Sequence, residues 1–366
     1  MYFYFVIELN CGHTLMGLRA PKNENSKTKS EKRGKEPNKM KLLVTGGAGY
    51  VGAHTVRALF AAGHDVTVLD NLSTGHRWAL QGCELIPVDL RDAHNLSRNL
   101  KKRGFEGVLH FAAKSLVGES KNHPAMYYQN NVGGTTNLVR AMQAADIPRL
   151  VFSSTAAIFG NPVSDLIDEG HPKAPINVYG QTKLVVEHML QAVCESSEFS
   201  ATCLRYFNAA GANNESNLGE WHEPETHLIP NALRAAVGTG NPLTLFGDDY
   251  PTNDGTCVRD YIHVDDLASA HVAAIEKMDS SSGFNAFNLG NGNGYSVKAV
   301  ISACEKAVGA EIPYTIGPRR EGDPATLVAS SSKARSELGW TPKHDSIDEI
   351  AQSAWNWECY RRDNLS

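Results

Sequence analysis

From Lys41 onward, short runs of β-branched and apolar residues alternate with longer stretches in which apolar positions recur every three or four residues. The short runs predict strands, and these cover residues 41–45, 65–69, 84–88, 107–111 and 149–153. The longer stretches predict helices, and these cover residues 52–62, 93–102, 125–144 and 178–194. Strands that are apolar on both faces and alternate with helices indicate an α/β fold with a Rossmann-type, doubly wound parallel sheet.

The regular alternation ends near Phe207, and residues 211–260 are rich in glycine, asparagine and proline. That composition is typical of loops. We therefore expect a first domain over residues 40–208, which includes the helix at 178–194. A smaller C-terminal region over residues 209–366 should mainly bind substrate, with some of its segments returning to the first domain.

The first 39 residues have a different character. Residues 1–7 are apolar, but they lack a basic flank and are too short for a signal peptide or a membrane span. Residues 21–41 are rich in lysine, glutamate and asparagine and contain few apolar residues, which predicts disorder. Met40 directly precedes the first strand and is a candidate start, so we expect residues 1–39 to be an appendage without catalytic residues.

Composition excludes several classes of protein. The 366 residues are 42% hydrophobic and 20% charged, as in ordinary globular proteins. The net charge of -5, without a dominant basic stripe, gives no indication of a nucleic-acid partner, and no membrane partner is expected. The seven cysteines are scattered without metal-like spacing, which favours reduced thiols and a cytoplasmic location.

A glycine-rich turn closes the first predicted strand and opens the first helix. Gly46 permits the tight turn, Gly49 lets backbone approach a pyrophosphate, and Gly52 permits close packing of helix and strand. The helix N-terminus then offers N–H groups and the positive end of its dipole to phosphate. Asp70 ends the second strand, where an acid binds the adenosine ribose, and favours NAD over NADP.

Further NAD contacts are expected where the third and fourth strands end. Asp89 is expected near the adenine, and the small residues after Phe111 let the nicotinamide-side ribose approach. The NAD contacts predicted from these turns and strand ends are Gly46, Gly49, Tyr50, Val51, Gly52, Asp70, Asn71, Asp89, Leu90, Phe111, Ala112 and Ala113.

Tyr179 and Lys183 lie four residues apart on the predicted helix at 178–194, so they share one face. A phenol normally loses its proton near pH 10. A fixed cation nearby favours the phenolate and lowers the pKa of the phenol. A tyrosine that exchanges a proton near neutral pH is a general acid/base, and we expect Lys183 to tune Tyr179 in this way.

Seven stretches carry a resemblance that extends from Lys41 to about Trp357. They are TGGAGYVG at 45–52, HFAAKSLVGES at 110–120, YYQNNVGGT at 127–135, SSTAAIFG at 153–160, LRYFNAAG at 204–211, RDYIHVDD at 259–266 and RREGDPA at 319–325. With these stretches the chain resembles the UDP-glucose 4-epimerase family of extended short-chain dehydrogenases/reductases.

The resemblance implies reversible 4-epimerisation of UDP-glucose and UDP-galactose with tightly bound NAD that is regenerated in each turnover. Tyr179 would take the proton of the sugar 4-hydroxyl as hydride passes from C4 to NAD⁺. The 4-keto sugar would then turn over and receive hydride on its other face. Lys183 would hold the nicotinamide ribose, and Thr155 would bridge the tyrosine and the sugar oxygen. A homodimer built from the helices at 125–144 and 178–194 is also implied.

The resemblance also implies contacts outside the glycine turn. Asn130 and Phe207 match positions at NAD, and a guanidinium suits phosphate oxygens at Arg259 and Arg320. The substrate contacts implied by the resemblance are Thr155, Tyr179, Asn208, His227, Leu228, Thr244, Leu245, Phe246, Arg259, Arg320, Asp323 and Leu327.

Three positions depart from the pattern of some family members. Asn stands where this chain has His227, and Lys stands where it has Ser115. Leu327 lies where a bulky tyrosine excludes N-acetylated sugars, so UDP-N-acetylhexosamines and UDP-pentoses stay open as alternative substrates. Residues 222–227, HEPETH, resemble metal-ligand spacing, but the reaction needs no metal and Pro224 argues against a helix that would align the imidazoles. We therefore expect a loop over the substrate and no metal.

Three other functions on the same fold would require different residues. A nucleotide-sugar 4,6-dehydratase needs an acid pair after the hydroxyl residue, whereas Ala156 and Ala157 follow Thr155 and cannot move a proton. A decarboxylase needs groups for a C6 carboxylate, and the sequence offers no clear signature. A non-catalytic NAD-binding sensor has no reason to keep Thr155, Tyr179 and Lys183 together.

Overall fold

The computed structural model describes residues 39–164, 166–279, 281, 283–320 and 323–365. The predictions for the N-terminal appendage therefore lie, apart from Lys39, outside the described residues.

The strands are β1 (Lys41–Thr45), β2 (Asp65–Leu69), β3 (Glu84–Ile86), β4 (Gly107–His110), β5 (Arg149–Ser153), β6 (Ser200–Tyr206), β7 (Asn208–Ala210), β8 (Leu243–Phe246), β9 (Val258–His263), β10 (Phe284–Leu289), β11 (Gly294–Ser296), β12 (Tyr314–Gly317) and β13 (Thr326–Leu327). The helices are α1 (Tyr50–Ala61), α2 (Ala93–Leu100), α3 (Val117–Asn122), α4 (Pro124–Tyr127), α5 (Gly134–Gln143), α6 (Val178–Ser196), α7 (Leu228–Ala236), α8 (Val264–Lys277), α9 (Val297–Val308) and α10 (Ile347–Asn364).

A seven-stranded parallel sheet organises the chain, in the order β10-β6-β5-β4-β1-β2-β3. Both faces are covered, as the side chains of β1 illustrate. Leu42 and Val44 pack on the side of α1 and α8, whereas Leu43 packs on the opposite side with α2, α5 and α6. The predicted Rossmann-type fold is therefore confirmed, because a sheet buried on both faces requires strands that are apolar throughout.

The C-terminal half contributes smaller sheets and a further core. Strand β9 pairs with β7, β11 and β13, and β8 pairs with β12. Helices α7, α9 and α10 enclose a separate apolar cluster that includes Leu233, Val300 and Ile350. Between β9 and β11 the chain returns to the large sheet, where α8 packs against α1 and β10 pairs with β6.

The helix predicted at 125–144 is interrupted. Residues 128–133 form a π-helical turn between α4 and α5. Within this stretch the Thr135 hydroxyl donates to the carbonyl of Asn131, four residues earlier, at 2.5 Å. Gly134 at the start of α5 allows Leu90 to approach, since a Cβ there would lie 3.2 Å from the Leu90 Cβ. Turns of this kind are frequent at functional sites.

Two buried histidines make the fold sensitive to acid. Burial lowers the pKa of His110 to about 3 and that of His271 to about 4, against about 6.5 in an unfolded chain. The unfolded state therefore takes up protons that the folded state does not. Stability is complete above pH 6.5 and is lost as the pH falls toward 4, by roughly 1 kcal/mol per histidine and pH unit.

Urea unfolding at pH 7 and pH 5 measures this loss directly. His271 donates from Nδ1 to the carbonyl of Leu267 at 2.8 Å, and asparagine can retain that donor. His271→Asn should therefore show a smaller difference in free energy of unfolding between the two pH values than the wild type. An equal difference in both proteins would contradict this assignment.

Within the described residues, no helix has the length and apolar character needed to cross a membrane.

Candidate functional site

The glycine turn sits between the end of β1 and the start of α1, at the carboxyl edge of the large sheet. Gly46 has a φ of +73°, and a Cβ there would lie 2.5 Å from the amide nitrogen of Ala112. A Cβ at Gly52 would lie 2.2 Å from the carbonyl oxygen of Gly46. Backbone packing therefore requires glycine at both positions, and the close approach at Gly52 joins the helix to the turn.

The N-terminus of α1 is available to an anion. Gly49 is its N-cap without a side-chain cap, and the first turn contains no acidic residue. A Cβ at Gly49 would have only the Gly46 carbonyl within 4 Å, at 3.4 Å. The Tyr50 phenol turns away and donates to the Gly211 carbonyl at 2.6 Å. The N–H groups of Tyr50 and Val51 thus suit a phosphate, which fits the pyrophosphate of NAD.

Asp70 stabilises the glycine turn through hydrogen bonds to backbone amides. Its two carboxylate oxygens accept the amides of Ala48 at 3.0 Å and Leu72 at 2.8 Å. The residue is 7% exposed, and burial raises the pKa of its carboxyl. Each carboxylate oxygen accepts more than one hydrogen bond, so Asp70 can still accept from ribose hydroxyls.

The residues predicted to lie near the adenine come together just beyond Asp70. The Asn71 amide donates to Asp89 at 2.8 Å, and Arg91 donates to both Asp89 oxygens at 2.9 and 2.7 Å. Arg91 accordingly holds the pKa of the Asp89 carboxyl well below its usual range. The neighbouring Leu90 is buried against Gly134 and lines the interior rather than offering a polar contact.

Beneath the turn, His110 is neutral, and both of its ring nitrogens have hydrogen-bond partners. Thr45 Oγ1 lies 2.6 Å from Nδ1, and Thr135 Oγ1 lies 2.8 Å from Nε2. Because the Thr135 hydroxyl donates to the Asn131 carbonyl, it accepts from His110 Nε2, and Thr45 donates to Nδ1. This network fixes the end of β4, after which Phe111, Ala112 and Ala113 follow.

The loop after β4 is tied to the helix that carries Tyr179 and Lys183. The side-chain amide of Asn131 accepts a hydrogen bond from the Lys114 backbone N–H at 2.9 Å. It also donates to the Thr182 hydroxyl at 3.1 Å. Asn130 donates to the same Asn131 oxygen at 3.0 Å. Asn130 therefore lies beside this link, while the buried Asn131 forms it.

The side chain of Lys183 is buried and donates a hydrogen bond to backbone. The residue is 2% exposed, and its ammonium donates to the Ser153 carbonyl at 2.7 Å. It lies 4.7 Å from the centre of the Phe152 ring. Burial lowers the pKa of Lys183 to about 7. An ammonium has three donors, so the side chain retains the capacity to bind ribose hydroxyls.

Tyr179 and Thr155 come together where β5 ends and α6 begins. A hydrogen bond with Thr155 lowers the pKa of Tyr179, but burial outweighs it and raises the pKa to about 12. The Thr155 hydroxyl also accepts the Ala157 N–H at 3.1 Å. The three predicted catalytic residues therefore share one site, since Lys183 lies one turn beyond Tyr179.

The expected direction of the Tyr179 pKa was wrong for the polypeptide alone. The Lys183 ammonium is 5.9 Å from the centre of the tyrosine ring, and burial weakens its own hold on a proton. It is therefore not the strong fixed charge that the sequence argument assumed. Burial penalises the charged form of a tyrosine, so the isolated chain keeps the phenol protonated.

On the substrate side, β9 and the segment before β13 bring two residues together. Arg259 Nη2 lies 3.6 Å from Asp323 Oδ1. The Arg320 guanidinium lies 4.0 Å over the ring of Phe246. Asn208 on β7 donates to the Asp260 carbonyl at 3.0 Å and pairs with Tyr261 across the β7–β9 ladder.

The remaining predicted contacts differ in what their side chains can reach. Leu245 is 1% exposed and belongs to the C-terminal apolar core, whereas Thr244 and Phe246 on either side are more exposed. Leu245 can therefore contact a ligand only through its backbone. Leu327 and Phe207 pack against the cluster that contains Ala156, which brings Leu327 to the neighbourhood of Thr155.

Residues 220–227 form a loop, as expected, but the loop gathers its ionisable groups. Nδ1 of His227 lies 2.7 Å from Glu220 and 3.0 Å from Glu225. Nδ1 of His222 lies 3.3 Å from Glu220. His227 is the N-cap of α7, which Leu228 begins. Residues 222–227 form no helix, as predicted. The loop nevertheless brings the imidazoles of His222 and His227 to the same carboxylate.

The profile of the NAD dependent epimerase/dehydratase family matches residues 42–290. This span contains the glycine turn, Thr155, Tyr179 and Lys183. The chain belongs to the NAD dependent epimerase/dehydratase family. It is similar to the UDP-glucose 4-epimerase of Halalkalibacterium halodurans, at 50% identity over 318 residues that cover 87% of this chain and 95% of the relative.

Solved structures agree with this membership of the epimerase/dehydratase family. UDP-glucose 4-epimerase from Brucella ovis in complex with NAD matches with a TM-score of 0.84 and 43% identity, covering 86% of this chain and 97% of that chain. The enzyme from Bifidobacterium longum in complex with NAD⁺ and UDP matches with a TM-score of 0.85 and 39% identity, covering 89% and 100%. The resemblance inferred from the sequence and the choice of NAD are thereby confirmed.

Sequence reasoning missed one buried ion pair that adjoins the predicted catalytic residues. Arg205 on β6 donates to Glu187 on α6 at 2.9 and 2.6 Å, and both side chains are at most 3% exposed. Glu187 also accepts from Ser154, next to Thr155, at 2.5 Å. Glu187 does not stand out in the sequence, because α6 also carries Lys183, His188 and Glu195.

Proposed function

We propose that the chain is a UDP-glucose 4-epimerase, which interconverts UDP-glucose and UDP-galactose through transient oxidation at C4 of the sugar. The observation that carries the proposal is the grouping of Thr155, Tyr179 and Lys183 beside the glycine turn. That grouping unites a hydroxyl, a phenol and an ammonium at the place where the Rossmann fold holds its dinucleotide. The relatives and solved structures support the same activity.

The chain's residues suit tightly held NAD, which supplies a reversible hydride acceptor when it is bound. The α1 N-terminus and Asp70 would hold its pyrophosphate and adenosine ribose. Lys183 would hold the other ribose through the donors not used by Ser153. Lys183 is buried and Tyr179 is partly buried, so bound NAD and substrate would complete the exclusion of water from the groups that exchange protons.

Tyr179 would exchange the proton of the sugar 4-hydroxyl, with Thr155 orienting that oxygen. The pKa of about 12 in the polypeptide alone means that the resting phenol is protonated. A cationic group placed close to the ring favours the phenolate, so the phenol becomes a base when the dinucleotide site is filled. Ala156 and Ala157 follow and carry no proton-transfer group, which argues against a dehydratase.

The UDP portion would lie along β9 and the segment 319–327. Arg259 and Arg320 offer guanidinium donors that suit diphosphate oxygens. Asp323, 35% exposed on its side chain, can accept from the uridine ribose. Phe246 offers an aromatic face, and His227 and Leu228 sit at the start of α7, where N–H groups favour an anion.

The decisive assay is conversion of UDP-galactose to UDP-glucose by the purified full-length chain. Product should form without added NAD, and NAD should be released from the protein on denaturation. A protein that carries NAD but does not convert the sugar would overturn the epimerase assignment and leave the sensor function in its place.

Leu327 is the observation that favours a wider range of sugars as a second candidate. It packs against the cluster around Ala156, so a larger side chain there would narrow the space beside Thr155. We expect Leu327→Tyr to lower kcat/KM for UDP-N-acetylgalactosamine on the order of tenfold or more, and to change that for UDP-galactose far less.

Initial rates with both sugars, in wild type and variant, measure this preference. Leu327→Met serves as the matched control, because it conserves the side-chain volume. Parallel losses with both sugars in Leu327→Tyr would show that the residue does not set the width of the pocket.

We also propose a homodimer in the cytoplasm. The helical surfaces at 125–144 and 178–194 expose Tyr128 and Val185, at 39% and 38%, and these apolar groups suit a two-helix interface. The cysteines at positions 83, 194, 203, 257, 304 and 359 are free thiols, as is usual in a reducing compartment. Light scattering at micromolar concentration tests the dimer.

A further inference from the structure

We propose that Glu220, His222, Glu225 and His227 form a binding site for a divalent transition-metal ion of the zinc class. Each residue offers one ligand atom, and the four atoms lie within 4.8 Å of one another. Two imidazole nitrogens and two carboxylate oxygens are donors that zinc accepts. The site does not include Thr155, Tyr179 or Lys183. It shares His227 with the predicted substrate contacts, but its test measures metal binding and not epimerase activity.

The spacing of the donor atoms fits one shared ion. Four ligands at zinc–nitrogen and zinc–oxygen distances are about 3.4 Å apart in a tetrahedron. The measured separations between His nitrogens and Glu oxygens are 2.7, 3.0, 3.3 and 3.8 Å, which bracket that value. Small movements of side chains would therefore complete the geometry.

Two of the donor atoms make no hydrogen bond, although each lies near a group of opposite charge: His222 Nδ1 is 3.3 Å from Glu220, and Glu225 Oε2 is 3.9 Å from Arg234. Nδ1 of His222 and Oε2 of Glu225 are buried and lack a hydrogen-bond partner. The Glu225 side chain is 2% exposed, and a buried carboxylate oxygen without a partner is costly. A shared cation would satisfy both atoms at once, which the existing contacts do not.

The burial of the four residues suits a site with an entry path. The carboxylate side chains of Glu220 and Glu225 are 7% and 2% exposed, whereas the imidazoles of His222 and His227 are 29% and 47% exposed. The ion would reach the negative end of the site from the solvent side. Two buried carboxylates around one point require positive charge there.

Outer contacts hold the ligands in place, as is usual around bound metals. Arg234 lies 3.9 Å behind Glu225 Oε2 and 3.8 Å from Glu358. The Trp357 indole donates to the Glu220 carbonyl at 2.9 Å, and the His222 ring meets Tyr50 edge to face at 6.4 Å. An ion here would tie residues 220–227 to the start of α1, beside the proposed pyrophosphate site.

Cobalt titration of the untagged full-length chain tests the site, because four-coordinate Co²⁺ absorbs visible light strongly. After treatment with chelator, at pH 8, we expect one Co²⁺ per chain, displaced by one Zn²⁺, and a rise in Tm on loading. His222→Asn and Glu225→Gln should abolish both signals. Glu223→Gln, in the same loop and bonded to Trp221, should retain them.

The outcomes separate the alternatives. Absence of stoichiometric Co²⁺ binding in the wild type would overturn the proposal and leave the four groups as two imidazolium–carboxylate pairs. Retention of the ion by both ligand variants would also overturn it. His263, Asp265 and His344 form another possible cluster. Loss of Co²⁺ binding in His344→Asn, with binding retained in the other variants, would therefore also overturn the proposal. Circular dichroism of each variant establishes that it is folded.

Discussion

Tyr179→Phe should lower kcat for UDP-galactose on the order of 10²–10⁴-fold while the protein stays folded and retains NAD. The substitution removes only the phenolic oxygen, which Thr155 contacts, and it leaves the ring beside Lys183. Because the proton of the sugar 4-hydroxyl then has no acceptor, both directions of the reaction should slow equally. Initial rates from both sugars, together with NAD content after denaturation, measure these effects.

Tyr128→Phe is the matched control for this variant. Tyr128 is 39% exposed, and its hydroxyl lies 3.4 Å from Gln181 on the surface of α6. Its loss should leave kcat within a few-fold of the wild type. Should Tyr179→Phe keep a comparable rate with NAD bound, another group would have to be the base.

Glu187→Gln should destabilise the protein by about 3–5 kcal/mol, because it leaves Arg205 charged and unpaired in the interior. Arg205 Nη1 already lacks a hydrogen-bond partner, and its guanidinium lies 5.6 Å from the centre of the Phe159 ring. The same change weakens the bond from Ser154, so the end of β5 should loosen next to Thr155. Equilibrium unfolding in urea measures the first effect, and kcat measures the second.

Glu195→Gln provides the comparison on the same helix. Glu195 is exposed and accepts from Gln191 at 2.9 Å, and surface changes of this kind usually alter stability by less than about 0.5 kcal/mol. In the double variant with Arg205→Met, both charges are gone, so part of the lost stability should return. If Glu187→Gln unfolded no more readily than Glu195→Gln, the ion pair would not stabilise the fold.

Sequence patterns predicted five of the seven strands of the large sheet, because those strands are short and apolar on both faces. The predictions missed β6 and β10, which complete the sheet at one edge. Strands β1, β2 and β5 begin and end where the pattern placed them. The third strand ends earlier, at Ile86, because Pro87 has no N–H for a sheet ladder. The helix at 125–144 contains a π-helical turn, which the apolar periodicity of the sequence does not register.

The candidate site was predictable as far as residue types and spacing carry information. The glycine turn and the neighbouring Tyr179 and Lys183 follow from local patterns. The direction of the Tyr179 pKa did not follow, because burial depends on the whole fold. The Glu187–Arg205 pair joins a helix to a strand across 18 residues, and no local pattern reveals such a contact.

The return of β10 to the large sheet has a consequence for dividing the chain. A fragment that ended at residue 208 would lack β10, and β6 would then become an edge strand. Most of β6 is buried, and an apolar edge with unpaired backbone groups is a template for aggregation. The fragment would also lack α8, which covers the face of the sheet beside α1. A dinucleotide-binding half expressed by itself should therefore aggregate. Strand β10, by pairing with β6, helps to protect the full-length chain from aggregation.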